Sequence, residues 1–112
     1  MKQIQVHENT FCDGVQFHRV FAEIMGFPDF YGHNWDAWID CMSYIESPQE
    51  LLSKITVLKN ECLEIEIIIT DGNNYFKTET WGVFCSCVAA VNGRFACRGS
   101  NTRLIITEKS SA

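Results

Sequence analysis

The stretch Leu63-Glu64-Ile65-Glu66-Ile67-Ile68-Ile69-Thr70 gives the clearest indication of the fold. Its first half alternates apolar and charged residues, and its second half is a continuous apolar run. Alternation with a period of two is typical of a β-strand, and a continuous run is typical of a strand that enters a covered sheet. We therefore predict a strand over residues 63–70.

Two further strands are predicted near the ends of the chain, over residues 2–7 and 102–107, where apolar residues alternate with polar ones or cluster. Residues 108–112 are expected to form a flexible tail. Three connecting pieces are also predicted: a short helix or turn over 48–52, an extended piece over 55–58 and a turn over 71–74.

Helices are predicted between these strands. One covers residues 15–25, with Asp13 as its N-cap and Gly26 as its stop, and another covers 79–91 and closes at Asn92-Gly93. Strands separated by helices indicate an α/β fold, with a small parallel sheet packed by helices. We expect one domain over residues 1–112.

A third helix is predicted from Asn34, its N-cap, to Ile45 or Glu46. At 100° per residue, four apolar residues share an arc of about 80°: Trp35, Trp38, Met42 and Ile45. Asp36 and Asp40 lie on nearly the opposite side, one turn apart, where like charges cost a helix a few tenths of a kcal/mol. The arrangement suits a binding partner better than the isolated fold, although an amphipathic helix with a solvated acidic side is the alternative.

The turn before this helix favours the binding interpretation. Phe30, Tyr31 and His33 stand directly beside the acidic face, and aromatic residues next to charges are typical of interface hot spots. We expect one of the two aromatic rings to fasten the helix to the core instead.

The net charge of −5 is concentrated in one third of the chain. From Val20 to Ser53 there is no Lys or Arg, and six acidic residues fall there: Glu23, Asp29, Asp36, Asp40, Glu46 and Glu50. A patch of one sign repels nucleic acid and steers basic partners toward it. Direct RNA or DNA binding is therefore disfavoured.

The composition indicates a folded soluble domain. Of its 112 residues 46% are hydrophobic, enough for a core. No signal peptide is recognised, and no apolar run approaches the roughly 20 residues that a membrane span needs. We expect a cytoplasmic protein that does not contact the membrane.

The six cysteines are expected to be free thiols in or near the core, because disulfides need an oxidising compartment. The Cys85-x-Cys87 and Cys97 spacing lacks the Cys-x2-Cys pattern of zinc sites, and the histidines are distant in sequence. No metal and no cofactor is predicted. Whether Cys85, Cys87 and Cys97 have a role beyond packing stays open.

The segment Phe27-Pro28-Asp29-Phe30-Tyr31-Gly32-His33-Asn34-Trp35-Asp36-Ala37-Trp38-Ile39-Asp40-Cys41 resembles the hallmark segment of the barstar family of intracellular ribonuclease inhibitors. The resemblance implies a three-stranded parallel sheet packed by helices, and a protein that is not an enzyme. Its partner would be a cognate ribonuclease or nuclease toxin with a basic active-site cleft. The residues that would contact it are Phe30, Tyr31, Gly32, His33, Asn34, Asp36, Ile39, Asp40 and Ser43.

The resemblance also implies roles for three of these residues. Asp40 matches the family aspartate that enters the phosphate-binding site of the ribonuclease, Asp36 matches a second interface aspartate, and Phe30 matches an aromatic that packs over the catalytic histidine. A further acidic contact corresponds to Thr78 or Glu79, and the sequence does not decide between them.

Three departures from the family pattern suggest a target other than barnase: Phe30 lacks a tyrosine hydroxyl, His33 replaces an acidic residue, and Ile39 replaces a tryptophan. A barstar-fold module that binds a non-nuclease partner is the alternative. Catalysis by His33, Asp36 and Asp40 is disfavoured, because a convex helix is expected to offer no pocket.

Overall fold

Three parallel strands form one sheet in a computed structural model that describes residues 1–70 and 74–110. The strands are β1 (Lys2–His7), β2 (Leu63–Ile69) and β3 (Leu104–Ser110), and they lie in the order β1-β2-β3. Ile4 pairs with Ile65, which pairs in turn with Ile106. The α/β class and the three-stranded parallel sheet inferred from the sequence are confirmed.

The sheet has one apolar face and one polar face. Ile4, Val6, Ile65 and Ile67 are buried, whereas the residues between them belong to a hydrogen-bonded polar layer. In that layer Gln3 Nε2 donates to Glu64 Oε1 at 2.9 Å, Gln5 Nε2 donates to Glu66 Oε1 at 3.0 Å, and Thr107 Oγ1 donates to Glu64 Oε2 at 2.6 Å. Hydrogen bonds from Thr107 and Gln3 lower the pKa of Glu64.

Within the described residues, three helices accompany the sheet: α1 (Gly14–Met25), α2 (Trp35–Ser43) and α3 (Glu79–Cys97). Short 3-10 helices lie at Glu8–Phe11, Pro48–Glu50 and Tyr75–Lys77. The predicted cap of α1 is confirmed, since the Asp13 side chain accepts a hydrogen bond from the Gln16 N–H at 2.7 Å. Gly26 ends the helix at φ 67, in the left-handed conformation that glycine tolerates.

The predicted end of α3 is wrong by six residues. The helix continues through Cys97 because Val91 and Phe95 extend its buried face beyond Phe84 and Val88. Asn92 does not cap the helix; its amide bonds the backbone of Leu104 in β3, accepting at 2.8 Å and donating at 3.2 Å. The chain leaves the helix at Gly99, whose φ is 75.

The predicted bounds of β3 are also corrected. Thr102 precedes the strand because its N–H donates to Ser100 Oγ and its hydroxyl donates to Glu46 Oε2. The flexible tail expected from residue 108 is instead strand as far as Ser110: Glu108 pairs in register with Ile67 and accepts a hydrogen bond from the Tyr75 hydroxyl. The last two residues, 111 and 112, lie outside the described residues.

The end of α2 differs from expectation: the helix ends at Ser43 and not at residue 45 or 46. Residues 55–58, predicted as an extended piece, belong to no helix or strand, and the Val57 N–H donates to the Ile45 carbonyl at 2.9 Å. The helical turn predicted at 48–52 is confirmed as Pro48–Glu50. The turn predicted at 71–74 falls, except for its last residue, outside the described residues.

Trp38 lies at the centre of an aromatic core between the helices. Its side chain is fully buried, and its ring centroid is 5.5 Å from Phe21, 5.6 Å from Phe84 and 6.1 Å from Phe17. These rings come from α1 and α3, so this indole joins all three helices. Aromatic pairs at such spacings add to the stabilisation that burial itself gives.

We predict that Trp38→Ala lowers the free energy of unfolding by about 3–5 kcal/mol, because it removes a fully buried indole and leaves a cavity among rings that cannot close over it. Denaturant unfolding followed by circular dichroism measures the change. Val15→Ala is the control, since this residue of α1 is 84% exposed and its truncation should shift stability by about 0.5 kcal/mol or less. Similar losses in the two variants would contradict the assigned core.

Candidate partner-binding site on helix α2

Asn34 joins helix α2 to the turn before it. Its Oδ1 accepts a hydrogen bond from the Ala37 N–H at 2.8 Å, which confirms the predicted N-cap, and its Nδ2 donates to the Gly32 carbonyl at 3.2 Å. A Cβ at Gly32 would lie 2.8 Å from that same Nδ2. Position 32 therefore needs a residue without a side chain for the Asn34 amide to bridge turn and helix.

The two faces of α2 are as the sequence predicted. Trp38 and Met42 are fully buried, and Trp35 is half-buried against α1, with its ring centroid 4.6 Å from both Phe17 and His18. Asp36 and Asp40 are exposed. The buried face fixes the helix, so the carboxylates are displayed in a set direction.

The two aromatics of the turn have opposite positions. Phe30 is 78% exposed, whereas Tyr31 is 5% exposed and its hydroxyl lies 2.6 Å from His18 Nδ1. The expectation that one ring fastens the turn to the core is confirmed, and that ring is Tyr31. Tyr31 stays a predicted contact residue, because the small part of it that is exposed lines a depression together with Phe30 and Asp40.

His33 holds the turn in an uncommon backbone conformation. Its φ is 53, in the left-handed region that costs a non-glycine residue free energy. Its ring nitrogen Nδ1 lies 2.9 Å from the Tyr31 carbonyl, to which it donates, and its ring packs 5.1 Å from the Tyr31 ring. These contacts offset the strain and keep Phe30 and Gly32 in place beside the helix.

Two further expected contact residues differ in accessibility. Ser43 is fully buried, and its hydroxyl donates to the Ile39 carbonyl at 2.5 Å, so its inclusion is corrected. This internal bond within the last turn is a known way for serine to satisfy its hydroxyl in a helix. Ile39 is half-buried against the core and keeps part of its surface for contact.

Asp40 has a partner that sequence reasoning missed. Arg94 Nη1 of α3 lies 2.8 Å from Asp40 Oδ1, and both side chains are largely exposed. The two residues are 54 positions apart, so no local pattern pointed to the pair. Asp36, by contrast, has no ion-pair partner in residues 1–70 and 74–110.

The structure distinguishes Thr78 from Glu79 at the start of α3. The Thr78 hydroxyl accepts from the Trp81 N–H at 3.1 Å and donates to the Tyr75 carbonyl at 2.8 Å, so it serves as the N-cap. Glu79 is exposed in the first turn and lines a depression of about 340 Å³ together with Trp35 of α2. Glu79 is therefore an exposed carboxylate beside the half-buried Trp35.

Phe30 and Asp40 flank one depression of about 450 Å³, and neither His33 nor Asp36 is among the residues that line it. Its lining also includes Ala37, Cys41 and Tyr44. Burial and the neighbouring Asp40 raise the pKa of Cys41 to about 11. The thiol therefore stays protonated at neutral pH, which makes it a weak nucleophile.

The six cysteines are free. Cys41 and Cys87 are buried, but Cys12 and Cys97 are exposed, so the prediction of thiols in or near the core holds only for some of them. Within the described part of the chain, no three His, Cys, Asp or Glu residues are grouped so that they could hold a metal ion. No helix in that part is both long and apolar enough to cross a bilayer.

The burial of His18 predicts a pH-dependent stability. Burial, aided by the charge of His33, lowers the pKa of His18 from 6.5 to about 4. Between these values the unfolded state binds a proton that the folded state does not bind, so the free energy of unfolding falls as the pH falls from 6.5 to 4. The slope is at most about 1.4 kcal/mol per pH unit.

Denaturant unfolding of the wild type and of His18→Gln at several pH values between 4 and 7 isolates this effect, because the other titrating groups are common to both proteins. The wild type should lose stability more steeply as the pH falls. Equal slopes would show that His18 is protonated in the folded protein as easily as in the unfolded chain.

The comparison with protein families agrees with this architecture. A family described as Barstar (barnase inhibitor) matches residues 1–107. A search of curated proteins finds no match. The family match includes the whole of α2, the preceding turn and the sheet as far as Thr107. Because it covers nearly the entire chain, this protein belongs to the barstar family.

Proposed function

We propose that this protein binds and inhibits a ribonuclease by placing helix α2 and the turn before it in the basic cleft of the enzyme. The observation that supports this most directly is that Asp40 and the 78% exposed Phe30 flank one depression beside helix α2. The family description as barnase inhibitor supports the same class of partner.

Asp40 is proposed to take the place of an RNA phosphate. A carboxylate accepts charge-assisted hydrogen bonds from the arginine and lysine side chains that a ribonuclease uses to hold phosphate. Asp36 lies one turn before it with no ion-pair partner among the described residues, so its charge is available to a second cation. Phe30 would pack over the catalytic histidine, as the family resemblance implies.

The remaining contacts have supporting roles in this proposal. Gly32 and Asn34 set the shape of the turn, and we propose that His33 in the turn and Ile39 in α2 contact the enzyme at the margin of the interface. Glu79 adds a carboxylate beside Trp35. A surface of one sign steers a basic partner and speeds its association. Barnase and barstar are themselves the standard example of such steering and of a hot-spot aspartate, so these expectations come with the family and not from the geometry alone.

The proposed partner is a ribonuclease other than barnase, including a nuclease toxin of neighbouring bacteria, and the proposed location is the cytoplasm. Phe30, His33 and Ile39 support this choice because each changes the chemistry of the surface that meets the enzyme. Immobilised protein exposed to lysate and culture supernatant of the native host tests it, with RNA cleavage assayed in the eluate. Retention of a protein whose RNA cleavage is not suppressed would favour the interaction-module alternative.

We predict that Asp40→Ala weakens binding of the retained ribonuclease by about 2 kcal/mol or more, the range of interface hot spots, without changing thermal unfolding by more than about 0.5 kcal/mol. Isothermal titration calorimetry measures the affinity. Glu23→Ala is the matched control: it removes one carboxylate from an exposed position of α1. Equal affinities of Asp40→Ala and wild type would contradict the proposal.

A second pair of variants separates the two candidates at the start of α3. Glu79→Ala should weaken the complex and leave stability nearly unchanged, because this carboxylate is exposed. Thr78→Ala should lower the free energy of unfolding by about 1 kcal/mol through loss of the N-cap and leave affinity unchanged. The reverse pattern would show that Thr78 is the contact.

A further inference from the structure

The ion pair with Arg94 engages one oxygen of the Asp40 carboxylate, the group that is proposed to take the place of an RNA phosphate. Arg94 Nη1 occupies Asp40 Oδ1 at 2.8 Å, whereas a phosphate mimic must offer its oxygens to cations of the enzyme. The pair joins α2 to α3 across 54 residues of sequence. Its position makes Arg94 a competitor for the same carboxylate.

Arg98, the residue that follows α3, is an arginine with a structural role in this region. It donates to the Ser43 carbonyl, pairs with Glu46 and lies over the Tyr44 ring at 5.2 Å. Among the described residues, Arg94 has no such set of contacts: its guanidinium hydrogen-bonds Asp40 alone, and its side chain is 48% exposed.

The surface also has room for Arg94 to move. A depression of about 500 Å³ lies beside it, lined in part by Tyr44, Gly93 and Cys97. Gly93 has no side chain, and a Cβ there would meet nothing within 4 Å. The guanidinium can therefore leave Asp40 by side-chain rotation, with no movement of the helix.

We infer that Arg94 is a specificity-determining residue that the ribonuclease must displace from Asp40 to bind. An exposed ion pair contributes little and is screened by salt, so a cation in a desolvated cleft can replace it. A protein that offers only a solvated lysine gains no more interaction free energy with the Asp40 carboxylate than Arg94 already provides. The pair therefore favours partners with a preformed anion site over basic proteins in general. This inference rests on the proposed inhibition of a ribonuclease.

The first test concerns the free protein. In ¹⁵N nuclear magnetic resonance spectra, the Nε–Hε signal of Arg94 should shift in Asp40→Asn, because the carboxylate that orients the guanidinium is gone, while that of Arg98 should not. An unchanged Arg94 signal would overturn the inference, since no pair would then exist in solution.

The second test measures binding to barnase, or to the ribonuclease retained from the host if barnase does not bind. Arg94→Gln should raise the affinity about two- to fivefold at low salt, the range for an exposed pair, and the gain should shrink as salt rises. Arg94→Lys retains a cation but loses the planar guanidinium, so its affinity for the ribonuclease should lie between that of the wild type and that of Arg94→Gln. Arg19→Gln is the control, since it removes the same charge from an exposed position of α1.

The outcomes separate this inference from the function on which it rests. If Asp40→Ala weakens binding but Arg94→Gln leaves it unchanged or weakens it, Arg94 is not a competitor and only the inference fails. An equal gain in Arg19→Gln would reduce the effect to net charge and would also overturn it. If no ribonuclease binds the wild type, the proposed function and the inference fail together.

Discussion

The burial of Trp38 fixes the rotation of α2 and thereby the direction in which the rest of the helix points. Asp36 and Asp40 each lie two residues from Trp38, about 160° away around the helix axis. The helix has only nine residues, too few to be stable in water by itself. Contacts of Trp38 with rings from α1 and α3 therefore supply the support that the short helix lacks.

The turn before α2 depends on a second, smaller set of contacts. Tyr31 is fastened to His18, His33 donates to the Tyr31 carbonyl, and Asn34 bridges to Gly32. Together they hold Phe30 exposed in a turn that contains a strained backbone at His33. A surface that is already ordered loses less conformational entropy on binding. The buried contacts of Tyr31 thus keep the exposed Phe30 ordered.

The features predicted well from the sequence are those that depend on neighbouring residues. Asp13 and Asn34 cap helices within three residues of themselves, and the apolar alternation of β2 fixed its place in the sheet. The features missed depend on distant residues. Asn92 was predicted to end a helix, but its side-chain amide instead bonds the backbone of Leu104 in β3. Glu108 was predicted to lie in a tail, but it belongs to β3, where it pairs in register with β2 and accepts a hydrogen bond from the Tyr75 hydroxyl.

The charge pattern along the sequence likewise misses contacts between residues that are distant in sequence. In sequence, residues 20–53 have six acidic side chains and no basic one. In space, α3 brings two arginines to this segment. Arg98 pairs with Glu46, a nearly buried carboxylate that also accepts hydrogen bonds from the hydroxyls of Ser100 and Thr102. This pair therefore contributes to the stability of the fold. Arg94 meets Asp40 at the surface, where both side chains are solvent-exposed. At the other end of α3, Glu79 adds a carboxylate beside Trp35. The charge of this surface therefore depends on residues of α3 and of the segment after it, and the sequence pattern of residues 20–53 describes only part of it.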